Sequence, residues 1–346
     1  MTEPSPADQS EISFDELIVA LRDDANPFPA RYLYRLSDLE GEELGLIKRI
    51  WPQLSFQRRL GVLEDLELLA ESNTVMHFDA VNRIALDDEK PELRIVAIRA
   101  LWPSEQPDLV PTFLDILNND NDDEVRAQAA AALGRFVYLG EIGRLPAAEL
   151  KGIETELVRI MASESASVIR RSALESLGYS GREEVVGLIE DAFESDDDDW
   201  LISALFAMGR SADDRWAPNV LENLSNTNSE ISAEAARAAG ELELEDAVPD
   251  LIKLLEDEES EVRVASAWAL SQVGGHGAAD ALQDRLDRAE EQDEIDLLED
   301  ALENLAFNEE IDQLNMLEYS PEDLENLAHP NGNEKGEDAT KGLAED

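Results

Sequence analysis

Chemistry in this chain would have to be built from three histidines, His77, His276 and His329, and from a dense population of carboxylates, because there is no cysteine. The histidines are far apart in sequence, and none stands in a His-Glu pair. Without paired His or Cys, a transition-metal site lacks ligands. The absence of cysteine also removes disulfides and thiol catalysis. Residues 118–124 read N-N-D-N-D-D-E, which is calcium-like in composition. They lack the Gly at the sixth loop position and the closing Glu that an EF-hand requires. Residues 196–199 are four consecutive aspartates ahead of Trp200. Both runs read as solvated turns. Carboxylate pairs are so frequent that none stands out as acid and base. No Gly-rich phosphate loop occurs, and Gly274-Gly275 falls where a helix would end, the place for a C-cap. The sequence therefore predicts neither catalysis nor a resident metal or cofactor.

The elements that carry these residues follow from composition and period. Hydrophobic residues make up 43% of the 346 and aromatics only 5%. Ala and Leu supply much of the apolar content, which favours closely packed helices over strands. The formal charge is −52, from 80 acids against 28 Lys and Arg. Such a surface repels nucleic acid and anionic membranes. It suits solubility, a salt-adapted host or a basic partner. The first residues, M-T-E-P-S-P-A-D-Q-S-E, have neither the basic nor the apolar region of a signal peptide. No apolar run is long enough to span a bilayer, so the cytoplasm is the expected location.

Residues 122–134 read D-D-E-V-R-A-Q-A-A-A-A-L-G, and 166–178 read A-S-V-I-R-R-S-A-L-E-S-L-G. Residues 259–270 read E-S-E-V-R-V-A-S-A-W-A-L, and 91–102 read P-E-L-R-I-V-A-I-R-A-L-W. They align on Arg94, Arg126, Arg170 and Arg263. Fainter copies place Arg59, Leu201 and Ser232 at the same position, and from 170 onward the step is 31 residues. A constant period near 30 residues marks stacked helix pairs. Second amphipathic stretches lie between the copies, for example 110–117 and 247–255. The predicted fold is all-α, one solenoid of about nine helix pairs over residues 13–308. Its first helix opens on Ser13 and Glu16, spaced as a capping box. The long step from 126 to 170 places a lengthened helix end and a loop at 136–149. Residues 1–12 form an N-terminal arm expected to be disordered. Residues 309–346 form an acidic, mostly disordered tail, with one short helix expected after Ser320.

These copies resemble the HEAT repeat, in the short variety named after phycobilin lyases, with an acidic turn, then V-R, then A-x-x-A-L-G. The resemblance implies an α-solenoid whose second helices line a concave surface. It also implies a ladder of Asp–Arg contacts joining adjacent repeats. The pattern departs at Leu201 and Ser232, which lack the Arg, and is faint across the N-terminal third. The deoxyhypusine hydroxylases resemble this chain in repeat, but they need His-Glu pairs as iron ligands, and it has none.

What remains is the inner face. Offsets −1, +3, +6 and +7 from the aligned position form the buried stripe, so offset +5 points away from it. That position holds Glu64, Arg99, Ala131, Glu175, Phe206, Arg237 and Trp268 in successive copies. At offset +9 stand Arg135, Tyr179, Arg210, Glu241 and Gln272. Aromatics beside Arg are the composition of binding hot spots. Tyr179, Phe206, Arg210, Arg237, Trp268 and Gln272 are therefore the candidate partner-binding residues. The competing reading is that Phe206 and Trp268 fill gaps between repeats. Trp200 and Trp216 lie on apolar stripes and are expected in the core. With Arg99, Arg135, Arg210 and Arg237 on it, the face is expected to be neutral or positive. The function expected is a protein–protein scaffold or adaptor that holds an extended segment of its partner. The alternative is a chromophore lyase or its subunit, which the resemblance suggests.

Overall fold

The structure, a computed structural model, describes residues 13–163 and 165–318. The expected arm at 1–12, the short helix after Ser320 and His329 lie outside these residues. Among the described residues there are helices and turns but no strand. Helix α1 (Phe14–Arg22) is followed by a 3-10 stretch (Ala30–Leu36). Eight helix pairs follow: α2 (Gly41–Ile50) and α3 (Phe56–Ser72), α4 (Asp79–Ala85) and α5 (Pro91–Leu101), α6 (Leu109–Asn119) and α7 (Asp123–Glu141), α8 (Ala147–Met161) and α9 (Ser167–Leu177), α10 (Glu183–Phe193) and α11 (Asp198–Arg210), α12 (Ala217–Asn223) and α13 (Ser229–Glu241), α14 (Val248–Leu254) and α15 (Ser260–Val273), α16 (Ala278–Leu286) and α17 (Gln292–Glu318). This is an α-solenoid of about nine units, the first of which has a 3-10 stretch for its second member. The chain divides into two compact units, one ending at Leu242 and the other starting at Glu243. No described helix is long and apolar enough to cross a membrane.

The periodic stripe is the core. In α7, Val125, Ala129, Ala132 and Leu133 are buried; in α9, Ile169, Ala173, Ser176 and Leu177; in α15, Val262, Ser266, Ala269 and Leu270. Trp216 is core as expected, but Trp200, in the first turn of α11, is only half-buried, and the Arg170 guanidinium 5.1 Å from its ring centroid covers part of it. Ser13 stands at the N-cap of α1 but makes no capping bond through its side chain, so the capping box with Glu16 does not form. The lengthened helix end is present: α7 runs 19 residues and turns at Gly143, whose φ is 75°. At the other end α17 continues to Glu318, past the boundary at 308 that fading periodicity suggested.

The aligned arginines do two jobs. Each reaches back to a carbonyl of its own pair, Arg126 to Leu117 O (2.8 Å) and Arg170 to Met161 O (3.1 Å) in the last turn of the first helix, and Arg94 to Asp88 O (2.8 Å) and Arg263 to Asp257 O (2.9 Å) in the turn that follows it. Those carbonyls have no partner within the helix, and a cation there complements the helix dipole. Arginine also reaches forward to an acid of the next repeat: Arg59 to Asp88, Arg94 to Asp120 and Arg263 to Glu294. The acid is thus mostly the neighbour's, not the one in the arginine's own turn; only Arg126 pairs with its own Asp123, at 3.4 Å. Where the arginine is missing, Ser232 keeps the first job by donating its hydroxyl to Leu224 O at 2.9 Å. The acidic runs serve as caps. Asp122 accepts from Glu124 N and Val125 N, and Asp197 accepts from Asp199 N.

The glycine that closes the motif sets how closely second helices approach. A Cβ added at Gly178 would lie 2.8 Å from Ala207 Cα, and one at Gly209 would lie 3.0 Å from Ala238 Cα. Helices this close interlock backbone to backbone, and an added methyl overpacks them. Gly178→Ala should cost about 1–3 kcal/mol, read as a lower melting temperature. An unchanged melt would mean that the helices are not locked at this contact. Ser232→Ala, which frees a carbonyl at the helix end, should cost about 1 kcal/mol by the same measurement.

Candidate functional site

Offset +5 stands outside the core in every copy: Glu64, Arg99 and Trp268 are exposed, and Ala131, Glu175, Phe206 and Arg237 are half-buried. Within the first unit the second helices carry these positions side by side. There the aromatics and arginines alternate. The Arg135 guanidinium lies 5.8 Å from the Trp102 ring centroid and 5.6 Å from that of Tyr138. Tyr138 meets Tyr179 edge to face at 5.5 Å. Arg210 then covers Tyr179 at 5.3 Å and Phe206 at 5.0 Å. The result is one continuous run, Trp102–Arg135–Tyr138–Tyr179–Arg210–Phe206, across α5, α7, α9 and α11. A guanidinium sandwiched between rings holds both in place, at about 0.5–1 kcal/mol per contact at exposed sites. Trp102 and Tyr138 remain 46% and 37% exposed, so the run is open to a partner.

Every arginine expected on this face is neutralised. Arg99 pairs with Glu67, Arg135 with Glu105, Arg210 with Glu241 and Arg237 with Glu234. The face is therefore balanced rather than positive. Pairing does not use every donor: among the described residues Arg135 Nε and Arg210 Nε have no hydrogen-bond partner. Of the six candidates, Tyr179, Phe206 and Arg210 come together in the run. Arg237 is on the next second helix, α13, held by Glu234 at 2.8 Å. Trp268 and Gln272 belong to the second unit. There Trp268 is 37% exposed, so it does not simply fill a gap, and Gln272 donates to Ser271 Oγ at 3.2 Å. Sequence reasoning missed Trp102, Tyr138 and Glu105. Trp102 occupies the place of the motif glycine, and Tyr138 lies on the extended end of α7, beyond the repeat's usual length.

Three carboxylates of this region are held above the ordinary glutamate range. Burial raises Glu175, with a Ser203 hydroxyl and Arg171 partly opposing it. Burial also raises Glu234 and Glu241, against the pull of Arg237 and Arg210 respectively. Tyr179 is raised by burial as well. Of the histidines, His77 and His276 are exposed, and no described group of three or more His, Cys, Asp or Glu is arranged to hold a metal ion.

A raised carboxyl binds its proton more tightly in the folded chain than in the unfolded one. Its contribution is complete below the ordinary glutamate value of 4.5 and is lost as pH rises through the folded value. Glu175→Gln removes that loss. The variant should therefore melt progressively higher than the parent as pH is raised from 4.5 toward neutrality. A gap between the two proteins that stays constant with pH would show that burial of Glu175 does not burden the fold.

A family model described as HEAT repeats matches residues 80–148 and 217–303. No curated protein matches the sequence. Among solved structures, human deoxyhypusine hydroxylase in complex with glycerol is similar at a TM-score of 0.36 and 21% identity, over 77% of this chain and 96% of that one. The complex of CpcE and CpcF of phycocyanin lyase from Nostoc is similar at 0.45 and 17%, over 66% of this chain and 94% of that one. A structure of Kap95p bound to RanGDP is similar at 0.41 and 13%, over 84% of this chain and 45% of that one. The repeat motif, the paired helices and the matched segments agree: the chain carries HEAT repeats.

Proposed function

We propose that this protein is an interaction scaffold or adaptor without catalysis of its own, holding an extended segment of a partner protein against the second helices of its first unit. The observation that carries this reading is the run of stacked aromatics and arginines from Trp102 to Phe206. Aromatic faces give large contact area at low entropic cost, since each ring has two rotatable bonds. The stacked arginines are already ordered, so little further freedom is lost when they donate to a partner's carbonyl or carboxylate. Neutral pairing on the face keeps the partner from being selected by bulk charge alone, so shape and hydrogen bonding decide specificity.

The partner is identified by cross-linking and mass spectrometry, and its affinity for the purified protein is then measured by calorimetry. Tyr138→Ala and Phe206→Ala together should weaken it by about 2 kcal/mol or more, the scale of hot-spot losses, with melting little changed. If the double variant melts far lower yet binds normally, the rings are inter-repeat packing and the face is not the site.

A further inference from the structure

The repeats of the first unit are not evenly spaced. From α7 onward the motif ends in glycine, as at Gly134, Gly178 and Gly209, and a Cβ at any of these would lie 3.0 Å or less from the next second helix. In the two preceding copies the same position holds Glu67 and Trp102. Neither side chain fits between touching backbones. Trp102 turns toward α7 and stacks with Arg135, whereas Glu67 stands where α3 meets α5, and these two helices touch less extensively than α5 and α7 or α7 and α9 do. A groove of about 1550 Å³ opens there, with both Glu67 and Trp102 in its lining. Its far wall is the segment after α3, held by Asp38 N donating to His77 O at 2.9 Å and His77 N donating to Ser37 Oγ at 3.0 Å.

We infer that this groove is a docking subsite for a partner segment carrying both apolar and basic side chains, and that it extends the scaffold reading on which it rests. Size argues for a polypeptide: the volume exceeds the roughly 300–1,000 Å³ of small-ligand pockets. Leu44, Met76, Ile84 and Trp102 present apolar surface to it, backed by the buried Leu39, Leu66 and Phe78. At its rim Glu40 and Glu71 are exposed and stand in no ion pair among the described residues. The lining cations are mostly occupied, since Arg83 is held by Asp108 and Arg99 by Glu67. A basic side chain is the complement left over, and the acidic C-terminal residues of this chain are the wrong sign to fill the groove. A further observation points to a ligand. Asn82 lines the groove, is 3% exposed, and its Oδ1 has no hydrogen-bond partner among the described residues. A buried acceptor left unpaired costs stability. A peptide N–H, reached by rotation of the carboxamide, satisfies it. Trp102 also stacks with Arg135, so the groove and the aromatic–arginine run share a residue and can hold one continuous segment.

The test uses two synthetic peptides of roughly ten residues, a length that spans about 33 Å when extended. One alternates Leu and Lys around a central photoreactive benzoylphenylalanine. The other replaces each Leu with Ser, keeping charge and length. Binding to the full chain is measured in roughly 0.5 M salt, where the screening length is only a few Å. The Leu peptide should bind, cross-link within 66–84 or 99–107, and lose about tenfold or more in affinity on Glu40→Lys with Glu71→Lys. Asn82→Leu should also weaken it while raising the melting temperature, since the unpaired acceptor is gone. Phe206→Ala should leave this short peptide unaffected. Equal binding of both peptides, or indifference to the charge reversal, overturns the subsite. Cross-links at Tyr138, Tyr179 and Phe206 instead would remove the groove and leave the scaffold reading standing. Cross-links scattered over the surface would overturn the groove and count against the scaffold reading as well.

Discussion

How near one second helix can come to the next governs the rest of the first unit. Where the motif ends in glycine, backbone meets backbone: Ser176 packs against Gly134 and donates to Ala130 O at 2.8 Å, and Ala207 packs against Gly178. Side chains at offsets +5 and +9 on neighbouring helices are then brought within reach of one another. The contact of Arg210 with Tyr179 on the preceding helix depends on that spacing. Where glycine gives way to Glu67, between α3 and α5, the same register leaves a groove, and where it gives way to Trp102 the ring stacks with Arg135 of α7.

Electrostatics is organised on the same lattice. A net charge of −52 would push a compact chain apart if the acids were unopposed. The scarce arginines are placed where each neutralises most. Arg94 holds both oxygens of Asp120 in the next repeat and a carbonyl of its own, and Arg59 holds Asp88, which also accepts from Trp51 Nε1 at 2.9 Å. An arginine serves this geometry better than a lysine, because its planar fork reaches a carbonyl and a carboxylate together. On the inner face the same residue type is turned to stacking, with Glu105 and Glu241 as counter-ions. Burial of Glu175, Glu234 and Glu241 above their ordinary range places a cost at this face and not in the solvated turns.

The lengthened α7 gains a role from this arrangement. Its additional turns carry Tyr138 to the edge of Tyr179, and the loop beyond it brings Arg144 onto Glu105 beside Arg135. What reads in one dimension as an interruption of the period bridges the two halves of the aromatic–arginine run. Without Tyr138, Arg135 and Trp102 would form one cluster and Tyr179, Arg210 and Phe206 another.

The sequence alone was enough for the class and the register. A period near 30 residues, with a stripe at −1, +3, +6 and +7, places Val125, Ala129, Ala132 and Leu133 in the core by helix geometry, and placing offset +5 off the stripe needed nothing more. Those patterns are local, and a helix of 3.6 residues per turn converts them into faces without reference to any neighbour. Which residues meet across repeats is not local. That Arg94 takes its acid from the next repeat, that Ser232 replaces an arginine by donating to Leu224 O, and that Tyr138 joins Tyr179 depend on how one pair of helices sits on the next. So does the balance of charge: four arginines on one face read as neutral or positive, and Glu67, Glu105, Glu234 and Glu241 decide for balance. The groove is the clearest case. Glu67 looks like ordinary decay of a motif, and only the packing of α3 and α5 shows that losing a glycine there opens space, because a side chain cannot occupy the volume of a backbone contact.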